Sequence, residues 1–369
     1  MLIVEPFNEF KGAFVLNVQK PIIIKNLTIP NRILRSATME NMADSNGFVT
    51  EDLKRLYISV SQGGAGLIVI GASAIEPSGK VWKHQISIWN DDFIDSLSKI
   101  PEAIHENGNG KCAIQLHHGG AAGFGYSYGA GGGTFDINSA SLSEIKQIIG
   151  AFGKAAARSV AAGFDAIAIH GAHGYLISQF LSSAINQRSD SWGGSLENRM
   201  RFAKEVSFAI RSEVGADIPL IWKINCSDFV DGKRDLSEYA KVAGVLVAAG
   251  VDLIEVSGGI RNQIELRRNL KKRSGESEAY FKHAIKPFRD AIGNKILSIT
   301  GGIRSRKVIE EILGEGVDMV GVCRPIISEP NFPKKIFENG GYKRSRCISC
   351  NKCLLHIDEH PLKCVHFEK

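Results

Sequence analysis

The sequence predicts an α/β chain folded as a closed (β/α)8 TIM barrel with a short cysteine-rich C-terminal extension. Three observations carry the prediction: eight short apolar runs recur along the 369 residues, helix-like patterns separate most of them, and a Gly-x-Asp turn precedes three of the runs. Strands that are apolar on both faces and alternate with helices imply a parallel sheet covered on both sides, and eight such units in roughly 250 to 300 residues suit a closed barrel. A doubly wound open sheet is the competitor. It expects a G-x-G-x-x-G after the first strand, which is absent here, and one switch point, whereas polar and glycine residues end many of these runs.

The runs are Arg32–Ala37, Leu67–Ala72, Cys112–His117, Ala166–His170, Leu220–Asn225, Leu253–Ser257, Ile296–Thr300 and Met319–Cys323. Between the third and fourth, Ser141-Leu-Ser-Glu144 reads as a capping box: the serine hydroxyl accepts from an N-terminal amide and the glutamate reaches back. The helix it opens runs towards Ala162 and stops at Gly163. The same ending recurs as Ala162-Gly-Phe-Asp165, Ala249-Gly-Val-Asp252 and Glu315-Gly-Val-Asp318, a weak internal repeat. The chain thus divides into an N-terminal extension (1–20), the barrel (21–340) and a cysteine-rich tail (341–369).

Composition narrows the function classes. With 44% hydrophobic and 23% charged residues the chain is globular, no apolar run reaches the ~18 residues of a membrane helix, and the start lacks a signal-peptide layout. The expectation is a cytoplasmic protein. A net charge of +6 is mild for this length and gives no indication of nucleic-acid binding. The one basic cluster, Arg267–Arg273, reads as a solvated loop or as a holder for a phosphate. Cys112, Cys226 and Cys323 lie inside strand-like runs while four more crowd the C-terminus, so a disulfide framework is not expected.

In a barrel the C-terminal strand ends converge on one mouth, so Gln115, His170, Lys223, Gly258, Gly301 and Arg324 face a common pocket. The richest of these ends is His170-Gly-Ala-His173-Gly-Tyr175. Two imidazoles can donate hydrogen bonds to a developing oxyanion and a tyrosine can deliver a proton, as reduction of a C=C bond beside a carbonyl requires. The pair can also ligate zinc, or be hydrogen-bonded loop residues. Two further ends suit an anion: Gly301-Gly302 offers exposed backbone amides, and Arg324 a guanidinium after the next strand. As neighbours they look like the phosphate site that barrels form after strands seven and eight.

Several stretches then resemble one family in colinear order from about Pro21 to Arg324. They are Lys25-Asn-Leu-Thr-Ile-Pro-Asn31-Arg32-Ile, Ile114-Gln115-Leu-His117-His-Gly, His170-Gly-Ala-His173-Gly-Tyr175-Leu, Asn186-Gln-Arg188-Ser-Asp190-Ser-Trp-Gly193-Gly194-Ser-Leu-Glu-Asn198-Arg199, and Gly301-Gly-Ile with Cys323-Arg324-Pro325. Together they resemble the old yellow enzyme family, FMN-binding barrels that take hydride from NADH or NADPH and pass it to an electron-poor alkene. The resemblance implies that Ala37, Thr38 and Met39 lie beside the flavin ring, Ala72 near its O4 edge and Gln115 on its pyrimidine. It implies that Gly302, Cys323 and Arg324, with the Gly301 turn, hold the phosphate. His170 and His173 would bind the substrate carbonyl, and Tyr175 would protonate the α-carbon after hydride reaches the β-carbon. Two positions depart from the family pattern. Lys223 stands where relatives usually carry arginine, keeping the charge without the planar fork, and Met39 stands where many have threonine or cysteine.

In the tail, Cys347, Cys350, Cys353 and Cys364 are spaced C-x2-C-x2-C-x10-C, which suits a 4Fe-4S cluster and also admits zinc. The spacing resembles the iron-sulfur branch of the same family, which includes 2,4-dienoyl-CoA reductase and trimethylamine dehydrogenase. Those enzymes continue into further domains, whereas this sequence ends at Lys369. The expectation is therefore either a separate electron-transfer protein, or direct reduction by NAD(P)H with a structural cluster.

The reading that joins these features is an ene reductase acting on a small-molecule enone or enoyl thioester, with a second copy of the chain as an admissible partner. Running the flavin oxidatively, as an amine dehydrogenase does, fits the two histidines less well. A Schiff-base aldolase using Lys223, or a metal-binding module centred on the tail, would need no flavin. The glycine-rich segment between Gly119 and Asn138 reads as a mobile loop near the mouth that shapes the pocket, or as a plain surface excursion.

Overall fold

The computed structural model describes residues 17–123, 135–230, 235–260, 278–338, 342–355, 357 and 360–367. The Arg267–Arg273 cluster, residues 1–16 of the N-terminal extension and residues 124–134 of the Gly119–Asn138 segment lie outside the described residues. The described chain opens with a hairpin of β1 (Ile22–Ile24) and β2 (Leu27–Ile29), turned through Lys25 at φ 55°. Strands of three residues are too short to show a period, so this pair is not among the runs read from the sequence.

Eight parallel strands then close a barrel: β3 (Ile33–Arg35), β4 (Leu67–Ala74), β5 (Lys111–His117), β6 (Ala166–Gly171), β7 (Leu220–Asn225), β8 (Leu253–Ser257), β9 (Ile296–Thr300) and β10 (Met319–Val322). Closure runs through β10 and β3, where Val320 pairs with Ile33 and Gly321 with Leu34. Each of the eight apolar runs is one of these strands, and three of them match to the residue. Ile24 and Ile29 of the hairpin pack with Leu34, Leu67, Ala166 and Met319, sealing the N-terminal end of the barrel with apolar side chains.

Outside the strands lie α1 (Glu51–Gln62), α2 (Ile94–Asn107), α3 (Leu142–Ala161), α4 (Leu176–Leu181), α5 (Leu196–Val214) and α6 (Leu236–Ala248), followed by shorter helices that include Ile285–Ile292 and Arg306–Gly314. The capping box at α3 is formed: Ser141 accepts from the Glu144 amide, and the Glu144 carboxylate accepts from the Ser141 backbone at 2.8 Å. Phe152 of α3 and Phe202 of α5 are buried, each such side chain contributing roughly 1.5–3 kcal/mol of burial. No helix among the described residues is long and apolar enough to cross a membrane.

The repeated Gly-x-Asp turns have a common structural purpose. Asp252 Oδ2 accepts from the Leu220 amide at 3.1 Å and pairs with Arg211 at 2.6 Å. Asp318 Oδ2 accepts from the Leu297 amide at 2.9 Å and pairs with Arg289. Asp165 Oδ2 accepts from the Cys112 amide at 2.8 Å and pairs with His105 at 2.7 Å. Each carboxylate thus caps the start of the preceding strand and ties it to a basic side chain on the helix that leads into that strand.

Candidate active site

The mouth of the barrel holds a cavity of about 450 Å³. All the residues singled out from the sequence for catalysis and cofactor binding line it: His170, His173 and Tyr175, with Ala37, Thr38, Met39, Ala72, Gln115, Lys223, Gly301, Gly302, Cys323 and Arg324.

One wall is the end of β6 and the turn that follows. His170 closes the strand, His173 turns the chain at φ 64° and Gly174 at φ 77°, and Tyr175 is the N-cap of α4. Positive φ at a histidine is uncommon and needs support. Here the His173 amide donates to Asn225 Oδ1 at 3.1 Å, and its Nε2 lies 2.7 Å from Ser257 Oγ. The Tyr175 ring packs edge-on against His170 and His117, with centroids 4.9 and 4.5 Å away.

Burial, reinforced by the charges of His173, His117 and Lys223, holds His170 well below the usual imidazole range. Burial and the Lys223 charge bring His173 down to about 3. Both rings are therefore neutral at pH 7 and act as hydrogen-bond donors. The Ala172 amide donates to His170 Nδ1 at 3.3 Å, which puts the ring proton on Nε2. A neutral imidazole is a poor source of a proton, and the Tyr175 hydroxyl is the other ionisable group of this wall.

The floor carries a buried charged group. Lys223 Nζ donates to Ser36 Oγ at 2.5 Å and lies 3.3 Å from Glu255 Oε1, and Ser36 Oγ donates to the same carboxylate oxygen at 2.5 Å. Gln115 Nε2 is buried and has no hydrogen-bond partner among the described residues, an amide donor that faces the cavity. At the far end, Gly301 and Gly302 take φ of 112° and 76°. A Cβ on Gly302 would come within 2.3 Å of the Tyr280 ring, and one on Gly301 within 2.8 Å of Phe281, so only glycine fits the turn. Cys323 Sγ lies 2.6 Å from Thr38 Oγ1.

The tail docks across this end. Arg324 Nη1 donates to Asn351 Oδ1 at 2.5 Å and Arg304 Nη1 to Ser349 Oγ at 3.2 Å, while Ser349, Asn351, Leu354, Leu355 and Ile357 complete the cavity wall. The Leu362 amide donates to the Glu40 carbonyl at 2.8 Å, and Asn41 Nδ2 to the Ile357 carbonyl at 2.7 Å. Cys347, Cys350, Cys353 and Cys364 surround a small space of about 20 Å³ beside Arg324. Among the described residues no three of these thiols have sulfurs within 4.8 Å of one another. Burial and the neighbouring thiols push Cys353 up to about 12.

The sequence did not single out Ser36, Glu255, Ser257, Tyr280 or the tail residues Ser349 and Asn351. Glu255 left a trace, since a carboxylate inside an apolar run meant for a fully buried strand needs a partner. The tail residues left none, because only the folded chain brings them to the mouth.

Comparison with known proteins agrees with this architecture. The sequence model of the NADH:flavin oxidoreductase / NADH oxidase family matches residues 17–341. The chain is 35% identical over 326 residues to an NADPH dehydrogenase of Bacillus pumilus, covering 86% of this chain and 93% of that protein. It is 33% identical over 344 residues to an NADH oxidase of Thermoanaerobacter brockii, covering 89% of this chain and 52% of that protein. Among solved structures, a 2-naphthoyl-CoA reductase in complex with 2-naphthoyl-CoA superposes with a TM-score of 0.84 at 27% identity, covering 94% of this chain and 56% of that one. An old yellow enzyme homologue from Zymomonas mobilis, at a TM-score of 0.72 and 22% identity, covers 90% and 96% and shares the fold. The chain thus spans about half the length of the NADH oxidase and of the 2-naphthoyl-CoA reductase.

Proposed function

Because the chain belongs to the NADH:flavin oxidoreductase / NADH oxidase family, the old yellow enzymes, we propose that it is an FMN-dependent NAD(P)H oxidoreductase that reduces the C=C bond of an α,β-unsaturated carbonyl compound. The observation that carries the reading is the wall at the end of β6, where two neutral imidazoles and a tyrosine face one cavity over a buried lysine. The chain's likeness to a 2-naphthoyl-CoA reductase at 27% identity supports a thioester among the carbonyl classes. Family membership removes the Schiff-base aldolase and the metal-binding module from consideration.

The residues present fit FMN. The Gln115 amide, unpartnered among the described residues, suits the pyrimidine edge, Lys223 with its counter-ion Glu255 would serve the ring system, and Gly302, Cys323 and Arg324 would hold the phosphate at a turn that no larger residue enters. When bound, FMN supplies the capacity to accept hydride from NADH or NADPH and return it to an electron-poor carbon. The chain's own residues do the rest. His170 and His173 donate N–H bonds to the substrate carbonyl oxygen, stabilising negative charge that grows there as the alkene is reduced. The Tyr175 hydroxyl gives its proton to the α-carbon. Burial of the wall keeps water from competing for that carbon.

The test is Tyr175→Phe, read with two acceptors. We expect NAD(P)H-driven reduction of a small quinone or oxygen to stay within about twofold of the unmodified protein, and enone reduction to fall by about 10² or more. Equal losses with both acceptors, or no loss with the enone, would overturn the proton-donor role.

A second reading concerns the tail. The four thiols fit a 4Fe-4S cluster better than zinc, because tetrahedral zinc draws four sulfurs to about 3.8 Å of one another, whereas a cubane holds each thiolate on a separate iron. Iron and acid-labile sulfide measured anaerobically on the same samples test it. About four of each per chain supports the cluster; zinc without iron would sink it.

A further inference from the structure

We propose that His105, Cys112 and Asp165 form a zinc site at the N-terminal end of the barrel, on the face opposite the mouth. Their candidate ligand atoms already converge: His105 Nε2 to Asp165 Oδ2 is 2.7 Å, Cys112 Sγ to Asp165 Oδ2 is 3.4 Å, and Cys112 Sγ to His105 Nε2 is 3.8 Å. With zinc bonds of about 2.3 Å to sulfur and about 2.0 Å to nitrogen and oxygen, a tetrahedral ion sets those edges at roughly 3.3, 3.5 and 3.6 Å. The two edges to sulfur are near these lengths as they stand. Only the histidine and aspartate must part, by about half an ångström, exchanging their hydrogen bond for two bonds to metal.

The barrel itself supplies the comparison that separates a ligand set from a strand cap. At the other two Gly-x-Asp turns the carboxylate meets the same two partners in kind, a strand amide and a basic side chain. There the basic residue is arginine, which cannot bind a metal, and the residue giving its amide is leucine: Arg211 with Leu220, and Arg289 with Leu297. At Asp165 both partners differ together, to histidine and cysteine, the two side chains zinc favours most. A cap alone needs neither change. Sulfur, imidazole and carboxylate also select a borderline-soft ion such as zinc over magnesium or calcium.

On binding, the Cys112 S–H bond breaks, its proton passes to solvent and the S–Zn bond forms. Two anionic ligands and one neutral imidazole then cancel the 2+ charge, with water in the fourth position. His105 is the most exposed of the three and gives the ion its route in, while the thiol lies behind it in the buried start of β5. A bound ion would join the last turn of α2, the first residues of β5 and the entry to β6. The N-terminal end of a barrel is where such ties serve stability and leave the chemistry at the mouth alone.

The experiment equilibrates the full chain with zinc chloride, removes unbound metal by gel filtration, and measures zinc per chain and the thermal midpoint. His105→Arg and Cys112→Val are compared with the unmodified protein. The first restores the arginine found at the other two turns, and the second keeps the volume of a buried position, so both should fold. We expect each variant to carry one zinc fewer per chain. Zinc should raise the midpoint of the unmodified protein by several degrees and leave theirs in place. Cys350→Ser, run alongside, should preserve the difference, which separates this site from the tail thiols. Equal zinc in the unmodified protein and in Cys112→Val would overturn the proposal, as would an unmodified protein that binds no zinc outside the tail.

Discussion

His173 combines a left-handed backbone, a buried ring and two fixed hydrogen bonds, and its titration reports that environment. Folded, the ring titrates near 3; unfolded, near 6.5. As pH falls, the unfolded chain takes up the proton first, so stability present above about 6.5 is withdrawn on the way to 3. His170 is shifted in the same direction and adds to the effect. Denaturant midpoints measured from pH 7 to pH 5 should therefore fall with acid, and His173→Asn should flatten that slope. An unchanged slope would mean that the folded ring titrates like a free one. The residues of this wall were legible because they are strand-end residues close together in sequence. On the floor Gln115 and Lys223 were legible as strand-end residues, but Ser36 and Glu255 were not, since they are 219 positions apart and only barrel closure joins them. A lysine on an apolar strand signals that a partner exists without naming it.

At the scale of elements, the local signals were nearly complete. Apolar runs marked the eight barrel strands but not the β1–β2 hairpin, and the Ser141 and Glu144 pair marked the start of α3 because capping is written in a few adjacent residues. The Gly-x-Asp turns were visible as a repeat, but their work was not, because each aspartate acts on a strand and a helix distant in sequence. That work is measurable. Asp252 is 4% exposed and serves the Leu220 amide and Arg211 together, with Lys25 at 3.4 Å. Asp252→Ala takes the carboxylate acceptor from the Leu220 amide and the counter-ion from Arg211, whose guanidinium keeps the carbonyls of Gly215, Ile218 and Gly250, and should lower unfolding free energy by about 2 kcal/mol. Chemical denaturation checks this; a loss under about 1 kcal/mol would show the turn to be dispensable.

For the whole molecule, the decisive arrangement is the return of the described tail residues, among them Ser349, Asn351, Ile357 and Leu362, to the mouth of the barrel. Leu362 is buried against the Met39, Ala72, Trp82 and Tyr175 cluster, and its amide is held by Glu40. Leu362→Asp would bury a carboxylate among apolar side chains, so the tail should detach while the barrel stays folded. Limited proteolysis should then cut after Lys343 far faster than in the unmodified protein, with the far-ultraviolet dichroism preserved. Equal cutting rates would mean that other contacts hold the tail. The arrangement also bears on biosynthesis. Chains leave the ribosome at about 5–20 residues per second and fold from the N-terminal side, so the last barrel strand emerges some seconds before Ser349 to Ile357. During that interval the nascent mouth stands open at the end that the tail later covers. The easiest moment for a large prosthetic group to enter is therefore before the tail docks, while that end of the mouth is uncovered.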